Sequence, residues 1–195
     1  MIPDFLPGDL IVTPGNWAVR LCQQFPGEPK TWAGHIAGMA TPLWVSEALL
    51  TVTNTPLDLW DAKHPEYEVW RNINWTRDQR EAVGRGLLES TGKLYGGLKL
   101  GAMFTDWLLS WGLAVATLGM VKTEVRLARL PLSWLRLDDV PICSYHYGVE
   151  ARQGANYEAW GPPRQLSPDD MHDYVKTHPG EWALIYKKGG PSSPA

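Results

Sequence analysis

The chain has 195 residues with 18 basic against 21 acidic side chains, a net charge of −3. A domain of that length buries about 70% of the surface its unfolded chain exposes, so it needs neither a metal nor a disulfide to fold. The charge balance, without a Lys/Arg stripe to neutralise phosphates, argues against nucleic acid as a partner. Two cysteines 121 positions apart offer no disulfide framework, zinc knuckle or Cys-x-x-Cys redox motif.

The opening MIPDFLPGDL carries prolines and acids where a signal peptide has a basic segment and an apolar run, so none is expected. DLIVTP at 9–14 reads as a short strand, and Asn16 as the cap of a helix carrying Trp17, Val19, Arg20, Leu21 and Gln24. Cys22, between Leu21 and Gln23 late in that helix, is expected to be a small core residue. After the loop FPGEPKTW, GHIAGMA (34–40) and LWVSEAL (43–49) form two apolar runs around Thr41-Pro42, the pattern of a hairpin. LTVTNTPLDLW and YEVWRN are expected to add two strands.

From Thr76 the period changes. TRDQREAVGRGLLEST predicts a helix capped by Thr76 with Val83, Leu87 and Leu88 on its apolar side, and LSPDDMHDYVK predicts another, capped by Ser167 with Pro168 at its first position. EWALIYKK reads as a last strand. Residues 1–188 are expected to form one domain and 189–195 a disordered tail. Eleven tryptophans are scattered through every segment, as core anchors rather than as a stacking platform or a membrane belt.

Residues 100–121 are apolar but for Asp106, long enough to cross a bilayer. An aspartate near the middle of a span costs about 2.5–3.5 kcal/mol on insertion scales, and the run is followed by KTEVRLARLPLSWLRL, which alternates charge and leucine. Residues 98–111 are therefore expected to be a core helix and 112–121 an apolar excursion offering peripheral membrane contact.

Three residues carry a chemical hypothesis. Side chains alternate along a strand, so His35, Ala37 and Met39 share a face, as do Val45 and Glu47. A turn that sets Met39 against Leu43 puts His35 directly opposite Glu47, close enough for the carboxylate to fix one ring nitrogen and leave the other as a base. Pro141 ends an extended run, and CSYHYGVEARQ can continue as a helix. Cys143 then sits in a first turn, where the dipole and unpaired N–H groups favour a thiolate. His146, three residues later, is the competitor: it could pair with the thiol or form a Cys-x-x-His half-site, but no second pair has ligand spacing, so no metal or other cofactor is expected. His64, His172 and His178 are read as solvated.

In order, GDLIV, GHIAG, VSEAL, YGGLKLGAMFTDWLL and ICSYHYG resemble the circularly permuted NlpC-type papain-like hydrolases, the branch that includes the YiiX/YebB-like and lecithin:retinol acyltransferase-like proteins. The resemblance spans roughly residues 8–152. It implies an α+β, permuted papain-like fold, with an antiparallel sheet or partial barrel packed against helices. It implies Cys143 as nucleophile, His35 as base and Glu47 as the residue that orients it, with Tyr95, Ser144, Tyr145 and His146 as candidate site-lining residues and Asp9 as structural. Tyr145 stands where relatives often carry an acid, and Tyr95-Gly96 where they carry Tyr-Asp. The implied activity is a cysteine hydrolase of amide bonds acting through an acyl-enzyme on peptidoglycan stem peptides; from the small size and the missing signal peptide the chain is expected to be cytoplasmic, or phage-associated and delivered to the cell wall. Two alternatives stay open: a lipid-directed thioesterase or acyltransferase, and a non-catalytic binding or assembly protein on the same fold.

Overall fold

The computed structural model describes residues 4–24, 26, 31–49, 51–93, 97–121, 143–163 and 166–189. Tyr95, the alternating run after 121, Pro141 and all of the tail beyond 189 lie outside these residues, and the side chain of Cys22 is likewise outside the description. The architecture is α+β. Six strands, β1 (Leu10–Thr13), β2 (His35–Thr41), β3 (Trp44–Ala48), β4 (Val52–Pro56), β5 (Tyr67–Asn72) and β6 (Trp182–Lys188), form an antiparallel sheet in the order β4-β3-β2-β1-β5-β6. Among the described residues six helices accompany it: α1 (Trp17–Gln23), α2 (Leu57–Lys63), α3 (Arg77–Glu89), α4 (Gly97–Ala116), α5 (Cys143–Ala155) and α6 (Pro168–Thr177).

Alternation along the central strand divides the core in two. Leu10 and Val12 point to one face, where Ile36, Val83, Leu87, Tyr147 and Met171 join them under α3, α5 and α6. Ile11 points to the other and packs with Ala37, Met39, Val45, Val69 and Trp60 of α2. Because both sides of β1 are covered, LIVT is buried throughout. Gly38 makes the first face possible: a β-carbon there would lie 2.7 Å from a Tyr147 ring atom and 2.8 Å from Leu87. Gly154 does the same between helices, since its β-carbon would stand 2.6 Å from the Val83 nitrogen.

Helix starts follow the capping chemistry. Thr76 and Gln79 form a reciprocal capping box on α3, and Ser167 and Asp170 form another on α6 behind Pro168. On α3, Val83 and Leu87 are buried but Leu88 is exposed, while the Arg80 stem fills the remaining inward position.

Two of the expected elements need correction. LDLW, read as the end of a strand, begins α2: Pro56 precedes it, Asp58 lies in the first turn, Lys63 in the last, and Leu57 and Trp60 share the buried side. Over residues 104–111, where its side chains are described, the segment expected as a core helix is a helix but not a core one. Along the described part of α4 the buried stripe is Asp106, Ser110 and Ala114, while Phe104, Leu108, Leu109, Trp111, Leu113 and Val115 are exposed. The helix packs on α1, and Trp111 donates its indole N–H to the carbonyl of Gln24 at the end of α1.

Asp9 is fully buried and structural. Its Oδ1 accepts from Arg71 Nε at 2.8 Å and its Oδ2 from Arg71 Nη2 at 2.6 Å and from the Leu6 N–H at 2.8 Å. Arg80 Nη1 adds a second cation 3.7 Å from Oδ1. The first loop is thus clamped to β5 and α3. His172, expected to be solvated, is buried with its Nε2 2.9 Å from Glu68, which also meets Lys187 at 2.9 Å. Burial disfavours the Glu68 carboxylate, but these partners outweigh it and draw its pKa down to about 2.

Replacing Asp9 with Ala leaves the Arg71 and Arg80 charges uncompensated and is expected to lower the urea-unfolding free energy by about 3–5 kcal/mol. The depressed Glu68 pKa fixes a sign: its contribution is complete above the ordinary glutamate pKa and is lost as the pH falls toward 2. Thermal melts over that acid range should show a slope that Glu68→Gln flattens.

Candidate active site

His35 is the first residue of β2 and Glu47 the fourth of β3, and both project from the face that carries α2. Their side chains meet, His35 Nε2 to Glu47 Oε2, at 3.1 Å. The register differs from the sequence expectation by two residues: Glu47 lies opposite Ala37, and Met39 opposite Val45. An irregularity between Met39 and Thr41 takes up the difference near the turn. A two-residue offset preserves the face, so His35 and Glu47 become diagonal neighbours, about 7–8 Å apart at their backbones and within reach of two long side chains.

Cys143 opens α5 on the opposite face of the sheet, and its buried thiol reaches round the start of β2 to the same imidazole. Since Nε2 is held by Glu47, Nδ1 is the ring nitrogen left for sulfur. Burial alone would favour the neutral thiol and the neutral imidazole. Their mutual attraction overrides it: the His35 charge and hydrogen bond, with backbone N–H groups of Ile36 and Ser144, pull the Cys143 pKa below its ordinary value. The thiolate and Glu47 in turn push His35 up to about 10. Glu47 is lowered against its own burial, chiefly by His35. The imidazole thus sits between a thiol whose ionised form it favours and a carboxylate that favours its own charge.

The three residues line one cavity of about 1020 Å³. Its walls come from the β1–α1 turn (Thr13 to Asn16), from Thr53 and Thr55 on β4, and from Lys63 to Glu66 after α2. His64 is part of that wall rather than free in solvent: its ring stacks on Trp60 at 3.9 Å and its Nδ1 lies 2.7 Å from the Trp60 carbonyl. Sequence reading missed Trp60 and His64, which sit beside Glu47, because LDLW was taken as strand; the Pro-x-Asp start and the Leu57/Trp60 spacing were the available signal.

The other candidates go elsewhere. Ser144 donates its hydroxyl to the Leu166 carbonyl at 2.7 Å, and only its backbone N–H serves the thiol. Tyr145 is half-buried on α5 and is not part of the cavity wall. His146 faces β3, its Nε2 3.2 Å from Ser46 Oγ. Burial and the nearby Lys93 charge draw its pKa down to about 4, so it is a neutral packing histidine. Helix α5 is buried on nearly every side, which is why a residue three positions from Cys143 finds a different neighbour. His178 is exposed and stacks on Tyr174.

No protein-family model matches the sequence, and no curated protein is significantly similar to it. Among solved structures the fold is shared with the metalloprotein YiiX from Escherichia coli O157:H7, DUF1105, at 16% identity and a TM-score of 0.50, over 93% of this chain and 89% of that one.

Alkylation by iodoacetamide across a pH series should give Cys143 a midpoint well below the 8.5 or so of a free thiol. In His35→Ala the midpoint should rise, because burial is then opposed only by the backbone N–H groups of Ile36 and Ser144. An unchanged midpoint would show that the imidazole does not hold the thiolate.

Proposed function

We propose that this chain is a cysteine hydrolase of amide bonds that works through an acyl-enzyme, on a permuted papain-like arrangement in which the histidine strand precedes the cysteine helix. The observation that carries the reading is the His35 imidazole, hydrogen-bonded to Glu47 at 3.1 Å on one side and to the Cys143 thiol on the other, at the wall of a cavity. The Cys143 thiolate attacks the acyl carbonyl, forming a C–S bond and a tetrahedral oxyanion that backbone N–H groups at the start of α5 stabilise. As the C–N bond breaks, the His35 imidazolium gives its proton to the leaving amine. The neutral imidazole then takes a proton from water, whose oxygen attacks the thioester. Collapse releases the carboxylic acid and restores the thiolate–imidazolium pair. Glu47 keeps the ring oriented and supports its charge.

YiiX is described as a metalloprotein. Among the described residues of this chain no three His, Cys, Asp or Glu side chains converge as a ligand set, and His35 Nε2 is taken by Glu47. Those residues do not fit a metal ion, and the proposed chemistry runs on the thiol.

Motif resemblance makes a peptidoglycan stem peptide the first substrate to offer. A second reading, a lipid-directed thioesterase or acyltransferase, is favoured by one observation, the outward apolar side of α4. Digests of purified peptidoglycan, read by mass spectrometry for new amine termini, test the first. Release should be abolished in a folded Cys143→Ala variant. Equal release from that variant would overturn the assignment, and turnover of a lipid thioester alone would select the second reading.

A further inference from the structure

Helix α4 is inside out. Its only charged residues are Lys99 and Asp106. Asp106 is 0% exposed and lies with Ser110 and Ala114 on the buried side, while exposure reaches 71% at Val115, 90% at Leu118 and 84% at Met120. Solvated helices show the reverse pattern, with polar residues outward. On α1, which packs against α4, Trp17 and Leu21 extend the same apolar surface. Among the described residues nothing covers it. A contiguous apolar face of this size marks a binding surface rather than ordinary scatter.

We infer that the α1–α4 face is a membrane-docking surface, which lies in the interfacial layer of a lipid bilayer and turns the mouth of the Cys143 cavity toward it. The chemistry of the face selects the occupant. Among the described residues from Phe104 to Val121 no outward side chain is charged, so this stretch offers none of the charge pairs by which two protein surfaces orient each other. Trp111 donates its indole N–H to the Gln24 carbonyl at 3.0 Å and leaves its ring exposed, so that donor is satisfied within the protein. Hydrocarbon needs no polar partner and suits such a face. The helix lies in the layer rather than across it: no helix among the described residues is long and apolar enough to span, and Asp106 is packed against protein. With one cation on the helix, docking depends on apolar burial and not on anionic lipid.

Position ties the face to the site. Asn16 and Val19, at the start of α1, line the cavity, next to the exposed Trp17. A bilayer under α1 and α4 would present acyl or lipid-linked groups at that entrance. This last step rests on the hydrolase reading; the docking itself does not.

The test is flotation of the full chain with neutral phosphatidylcholine vesicles at low and high salt. The wild-type chain should float at both, and so should Cys143→Ala. The triple variant Phe104→Gln, Leu108→Gln, Val115→Gln, which changes only exposed positions to a good helix former, should lose binding by about tenfold or more. Hydrogen exchange of the unaltered chain supplies a readout without mutation: vesicles should protect 104–121. A wild-type chain that stays with the soluble fraction, a triple variant that floats equally, or protection elsewhere would overturn the proposal. So would self-association in sedimentation velocity that the triple variant abolishes without any flotation, because the occupant would then be a second copy. Flotation with an inert Cys143 would leave the docking standing and remove the hydrolase reading.

Discussion

A thiol, an imidazole and a carboxylate are buried within one small volume at the start of β2, and none of them is stable there as an isolated charge. Each is favoured by its neighbours: the imidazole charge favours an ionised sulfur on one side and is supported by the carboxylate on the other. Everything that fixes those three positions follows from this constraint. Strand β2 supplies the imidazole, β3 the carboxylate two positions along the ladder, and α5 the sulfur from the far side of the sheet. Because Cys143 is a first-turn residue, backbone N–H groups also favour its ionised form.

The sheet is what allows groups from two faces to meet. Helices α3 and α5 press on one side and α2 on the other, and only at the end of β2 can a side chain from α5 reach the α2 face. Gly38 and Gly154 set how closely α3 and α5 approach, so the position of the sulfur depends on two residues with no side chain. Asp9 anchors the opposite end of the same strand pair, with two arginines sharing its carboxylate. The buried pairs in the molecule divide accordingly: Asp9 and Glu68 are closed in by cations and protein, whereas Glu47 borders the cavity through His35.

Helix α4 belongs to neither layer. Among its described side chains the inward side is the polar one, the reverse of the pattern of a solvated helix. The protein core therefore does not explain this element, and its contact with α1 brings it beside the cavity entrance.

Local chemistry was legible in the sequence. The capping boxes at Thr76 and Ser167, the hairpin around Thr41-Pro42, and the shared face of His35 and Glu47 follow from side-chain periods and turn residues, which neighbours cannot alter. The two-residue change of register shows why parity was the safe inference: it kept both side chains on one face while changing every opposed pair. What only the tertiary structure decided is where a polar group finds its partner. His146 turned to Ser46, His172 to Glu68 and His64 to Trp60, and α4 buried Asp106 in place of its leucines. Each of these depends on an element distant in the chain, and a sequence window carries no record of which distant surface it will meet.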